Sequence, residues 1–221
     1  MDSGIRREAW LGLQDAQAKN LVDRIDYIQT VDPRDRAANI GVLVDDGYDI
    51  IVTVGAAIGD ETRAAAAKHP KILFIGVEQP QVDDKQHNLA GLVFHEERSG
   101  FAAGALAALM SQTGQVAAVC EANFIDPIRR YCDGFQAGAR YARPKINATV
   151  TYREGPSESL FNDPEWGRAT ALQQVANGAD VVFATGGRTA DAALEAAAAD
   201  GAYVIGAETD LYYDLPDVRS R

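Results

Sequence analysis

Histidine, cysteine and positive charge are all in short supply in this 221-residue chain, and each shortage removes a class of function. The three histidines, His69, His87 and His95, stand without ligand spacing. The two cysteines, Cys120 and Cys132, are too few for a disulfide scaffold and do not have the spacing of a zinc or CxxC motif. Lys and Arg total 21 against 32 Asp and Glu, giving a formal net charge of -11 and a pI of about 4.7. Nucleic-acid binders draw affinity from Lys and Arg that displace counterions, so this balance argues against a nucleic-acid partner. No apolar run approaches the roughly 20 residues needed to span a bilayer. The opening MDSGIRREAW also lacks the apolar centre of a signal peptide. GxSxG, HExxH, GxxxxGK[ST] and a GxGxxG after the first strand are all absent, so no enzyme, metal site or cofactor is expected.

What the chain does have is alternation. Short β-branched runs at 25–31, 49–55, 71–77, 91–94, 115–120, 147–152, 180–186 and 203–208 are separated by alanine-rich stretches, the pattern of βαβ units around parallel sheets. Several runs are continuously apolar, as strands covered on both faces should be. Ala37, Ile40 and Val44 recur at helical spacing, as do Ile128, Tyr131, Phe135 and Ala139, and both faces read as core. The stretch from Glu96 to Gln112 reads as a long helix with Phe101, Ala105 and Leu109 on one face, opening a second lobe. A helix over Arg6–Asn20 with no strand before it, and an end at Arg221 with no closing element, lead us to expect further sequence at both ends.

Open α/β sheets bind ligands at the carboxyl ends of their strands, where Gly55, Glu78, Gly186-Gly187, Glu208 and Asp210 fall. Gly186-Gly187 either makes a tight turn or offers free backbone N–H groups to a ligand oxygen. Glu208 and Asp210 could accept hydrogen bonds from a polyol, or serve as a helix N-cap or solvated loop acids. In Ser159–Gly167, Asp163 is placed to cap a helix starting at Pro164. Phe161 lies in the loop before it, where its ring either stacks on a flat ligand or folds back on Trp166.

Five segments occur in one order: Phe94 with Gly100-Phe101 and Gly104; Ile125-Asp126-Pro127 with Gly134-Phe135 and Gly138; Phe161, Asp163 and Gly167; ADVVFATGG; and YVIGAETD. Together they resemble the basic membrane protein family of ABC-transporter substrate-binding lipoproteins, which includes the purine nucleoside receptors. The likeness runs from Asp2 to about Asp210. The resemblance implies a two-lobed, periplasmic-binding-protein-like fold of type I, each lobe a Rossmann-like parallel sandwich. Lobe 1 is expected over 1–95 plus 209–221 and lobe 2 over 96–208, with hinge crossovers near 95 and 208. The first strand and a C-terminal segment of that fold would then lie outside the chain.

The same resemblance implies an extracytoplasmic substrate-binding protein, periplasmic or held at the membrane as a lipoprotein. It would be a monomer that captures a small polar solute, a nucleoside above others, by hinge closure and hands it to a membrane permease. Phe161 matches the aromatic that stacks on the base and Gly187 a backbone contact near it. Glu208 and Asp210 fall on the family's D-x-D that grips the ribose, and Glu97 on an acidic contact at the lobe junction. Asp2, Ala9, Trp10 and Gly12 agree with the opening pattern, but Ile5 replaces a second stacking aromatic and Arg6 a ligand-binding asparagine. Arg6 keeps a small anionic solute open as an alternative ligand, and a sensing domain of a regulator or receptor is the alternative function. Cys120 and Cys132 are expected as buried free thiols, although an extracytoplasmic location would permit a disulfide.

Overall fold

Uninterrupted β-branched and apolar runs become strands, and the alanine-rich stretches between them become helices that cover the sheets. The computed structural model describes residues 4–81, 85–156, 159–215 and 218, in two units, Met1–Phe94 and His95–Arg221. The expected α/β class with parallel sheets is present in both.

The first unit runs α1 (Ile5–Ala18), α2 (Arg36–Asp45), β1 (Ile50–Val54), α3 (Gly59–Lys68), β2 (Leu73–Val77) and β3 (Leu89–Leu92). Its three parallel strands lie in the order β1-β2-β3, with Ile51 opposite Phe74 and Phe74 opposite Leu89. Those three side chains pack with Ile40 of α2 and Ala66 of α3 as one core. The expected strand at 25–31 does not form: that segment is irregular, with Val31 exposed. Its side chains are taken locally instead, Tyr27 against the Trp10 ring at 5.7 Å and Asp26 by the Tyr48 hydroxyl.

The second unit runs α4 (Glu96–Met110), β4 (Gln115–Cys120), α5 (Asp126–Ala142), β5 (Asn147–Tyr152), α6 (Pro164–Ala176), β6 (Val181–Thr185), α7 (Gly187–Ala199), β7 (Tyr203–Ile205) and the short α8 (Leu211–Asp214). Its parallel order is β5-β4-β6-β7. Side chains alternate across the pleat, so Val116, Ala118, Cys120, Val181 and Phe183 face the core formed with α5, while Val119, Val182 and Ala184 face the core formed with α7.

Helix α4 buries a different face from the one its large residues mark. Leu109 is 74% exposed and Phe101 is also open, while Gly100, Gly104, Ala107 and Ala108 are buried. Small residues face α5 because the two helices approach closely. A Cβ on Gly104 would fall on the Phe135 carbonyl oxygen, and one on Gly138 on the Phe101 carbonyl oxygen. The expectation of free thiols is also corrected. Cys120 ends β4 on the α5 side and forms a disulfide with Cys132 of α5, the two Cα atoms 6.7 Å apart. Their separation of 12 residues gave no motif, yet the strand–turn–helix connection returns Cys132 over Cys120.

Candidate functional site

The carboxyl end of the second unit's sheet is built from residues that follow β4, β5, β6 and β7. One residue beyond Cys120 the pleat turns Glu121 to the opposite face, the side of α6 and α7. Its N–H donates to the Thr185 carbonyl at 3.1 Å, so the ladder with β6 extends one step beyond the strand. Arg153 follows β5 in the same way, its N–H donating to the Cys120 carbonyl at 3.0 Å. Both side chains are shut away from water, Glu121 at 0% and Arg153 at 1% exposure, and they form a buried ion pair through Arg153 Nε and Glu121 Oε1. Neither stood among the residues the sequence singled out. An acid closing an apolar run and a basic residue 32 positions later carry no local signal.

Phe161 sits on this pair. Its N–H donates to Glu121 Oε2 at 3.1 Å, and its carbonyl accepts the Arg188 N–H at 3.0 Å. Its φ of 61° is left-handed, a conformation a bulky residue rarely adopts. Phe161 is 37% exposed as a residue, while Trp166 packs into the Val119–Ala171 core. Asp163 caps α6 as expected, its side chain accepting the Trp166 N–H at 3.2 Å.

Gly186 and Gly187 form the turn into α7 with φ of 126° and 59°. A Cβ at Gly187 would meet the Phe161 carbonyl oxygen at 3.0 Å and Phe161 Cβ at 3.1 Å, and one at Gly186 would meet Glu121 Cβ at 2.5 Å. Phe161, Gly187, Gly186 and Glu121 are thus brought together.

Glu208 also has a left-handed φ, 73°, and its carboxylate accepts the Thr185 hydroxyl at 3.2 Å. Loss of water around its carboxylate pushes its pKa up, although the residue as a whole stays exposed; the Thr185 hydrogen bond works against that rise, and the negative charges of Asp191 and Glu96 add to it. Asp210 serves as the N-cap of α8, accepting the Tyr212 N–H at 3.2 Å. Glu97 pairs with His95 Nδ1 at 2.8 Å; its own backbone N–H, then the His95 ring, hold its pKa below the ordinary carboxylate value. Beside it Glu96 is buried against Arg130 at 3.1 Å.

Arg6 belongs to the first unit, exposed on α1, and Asp2 lies outside the described residues. In that unit Gly55 and Glu78 end β1 and β2 with φ of 104° and 60°. The buried Gln79 side chain donates to the Gly55 carbonyl at 3.1 Å and to the Thr53 hydroxyl at 3.0 Å. Among the described residues no group of three or more His, Cys, Asp and Glu could hold a metal ion. No described helix is long and apolar enough to cross a membrane.

The family described as ABC transporter substrate-binding protein PnrA-like (Bmp) matches residues 1–219. The chain belongs to the Bmp family. Basic membrane protein B of Borrelia garinii is 33% identical over 176 residues, covering 77% of this chain and 49% of the relative. The ABC transporter nucleoside-binding protein BmpA of Lactococcus lactis is 26% identical over 223 aligned positions, covering 96% of this chain and 61% of that protein. The chain thus spans about half to three fifths of the length of these Bmp relatives. In fold it is similar to an ABC transporter solute-binding protein from Aeropyrum pernix, with a TM-score of 0.78 at 22% identity, covering 95% of this chain and 60% of that one.

Proposed function

We propose that this Bmp-family chain is the substrate-binding part of an ABC importer that captures a nucleoside and delivers it to a membrane permease. The observation that carries the proposal is the family match over residues 1–219, reinforced by the relative named for nucleoside binding. Phe161 is partly exposed and held at both its backbone ends, and its ring is suited to stacking on a flat base. Gly187 lies beside it, and Glu208, Asp210 and Glu97 supply acceptors for hydroxyl groups. For this reading we assign lobe 1 to 1–95 with 209–221 and lobe 2 to 96–208, with hinge crossovers near 95 and 208. Arg6 and Asp2, in the first unit, are the further ligand-contact candidates.

In this reading the protein works as a monomer outside the cytoplasm, periplasmic or anchored at the membrane as a lipoprotein, and it turns nothing over. The Cys120–Cys132 disulfide supports that location, since such bonds persist in oxidising compartments.

A thermal-shift screen of the full-length protein against nucleosides, free bases, sugars and organic acids tests the reading. A ligand at about 100 times its Kd stabilises the folded state by roughly 2.7 kcal/mol. A nucleoside-dependent rise in Tm that disappears in Phe161→Ala is the expected result. A rise only with anionic solutes, lost in Arg6→Ala, overturns the ligand class.

A further inference from the structure

We infer that the buried Glu121–Arg153 pair is the positioning device for Phe161, holding Pro156, Ser159, Phe161 and Asp163 so that the ring is presented to the ligand. The inference rests on the reading of Phe161 as the stacking residue. Glu121 divides its carboxylate: Oε1 takes Arg153 and Oε2 takes the Phe161 N–H at 3.1 Å. Arg153 spends its remaining donors on the same loop. Its Nη1 reaches Ser159 Oγ at 3.0 Å and Asp163 Oδ2 at 3.5 Å, and its Nη2 reaches the Pro156 carbonyl at 3.2 Å. Apart from Glu121 itself, every partner named for this guanidinium lies between residues 156 and 163.

A buried ion pair is a poor source of net stability, because desolvation offsets most of the attraction and apolar replacements of equal volume often do as well. It can specify a conformation that apolar packing would leave loose. Here the conformation to be specified is the left-handed backbone of Phe161. A carboxylate fixed at 0% exposure gives the Phe161 N–H a charged acceptor at one place in space. The Arg188 N–H holds the other side of the same residue. Glu121 and Arg153 therefore act on the ligand through Phe161, as positioning residues.

The test uses the full-length protein and the variants Glu121→Gln, Ser159→Ala and Phe161→Ala. Adenosine, guanosine and uridine are titrated by calorimetry, and amide hydrogen exchange is read residue by residue. In Glu121→Gln the Phe161 amide is expected to exchange about tenfold faster and nucleoside affinity to fall by a similar factor. Amides within α4 and α5 should keep their protection, which a merely structural defect would not allow. Ser159→Ala removes one tether of Arg153 at the edge of the loop and keeps the ion pair, so it reads the same effect, smaller, even where Glu121→Gln fails to fold.

Unchanged Phe161 protection in both variants overturns the inference, as does unchanged nucleoside affinity when that amide has been freed. Should the wild type bind no nucleoside, or Phe161→Ala bind as the wild type does, the stacking reading fails by itself. The exchange data then decide alone whether the pair positions the loop.

Discussion

In the first unit one face of the sheet is covered and the other is covered only in part: Ile51 and Phe74 are buried, while their neighbours Ile50 and Leu73, paired across the same strands, stand 43% and 39% exposed. In the second unit both faces are sealed. Val116 and Phe183 line one core, Val119 and Ala184 the other, and every residue from Val116 to Cys120 is buried. The disulfide and the buried ion pair both sit at the carboxyl end of that strand. A strand enclosed on both sides gives fixed endpoints, so consecutive residues can be assigned opposite tasks: Cys120 ties the sheet to α5, and Glu121 ties it to the loop that carries Phe161.

The largest break in this contrast should come from the α4–α5 contact. Gly138→Leu places a side chain where the Phe101 backbone already lies and is expected to cost about 3 kcal/mol or more. Hydrogen exchange should show the second unit loosened and the first unit's sheet unaffected. Next in size is the disulfide: Cys120→Ala with Cys132→Ala should lower stability by about 3 kcal/mol, since the bridge closes a loop between residues 12 positions apart, and urea midpoints measure it.

A smaller effect is expected at Asp180. Burial works to raise its pKa, but the Ser111 hydroxyl at 2.6 Å and the Thr113 and Gln112 N–H groups at 2.9 and 2.6 Å outweigh it, and the pKa falls. A carboxylate held below its unfolded value stabilises the fold above about pH 4 and loses that contribution as the pH falls through the folded pKa. Asp180→Asn should therefore cost about 1–2 kcal/mol at neutral pH. Urea melts at pH 7 and pH 3 should show the gap between variant and wild type closing on acidification. The smallest effect sharpens the comparison from the other side: Leu73→Thr, on the partly covered face of the first unit, should change stability by no more than about 0.5 kcal/mol, checked by the same melts.

Much of this was legible from local pattern. The continuous apolar runs at 115–120 and 180–186 became β4 and β6, and Asp163-Pro164 opened α6 with the expected cap. The failures share a physical cause, which is that the deciding partner lies far along the chain. Ile25, Tyr27 and Ile28 suggest a strand, but residues 25–31 find no strand to pair with among the described residues. The large residues of α4 mark an apolar face, while the buried one was set by how near α5 approaches. At the site, the loop signal around Phe161 was readable, and Gly187 beside it. Glu121 and Arg153 were not, because nothing within a few residues of either shows that they meet.

Phe161 also separates two demands that a sequence usually satisfies together. At a φ of 61° the backbone is better served by glycine, which adopts that conformation without steric cost. Selection for folding alone would therefore drift towards removing the side chain, and Phe161→Gly is a substitution that folding has little reason to reject. A side chain carried on a backbone that glycine would serve better adds nothing to the ease of forming that turn, so its worth rests on the use proposed for its ring.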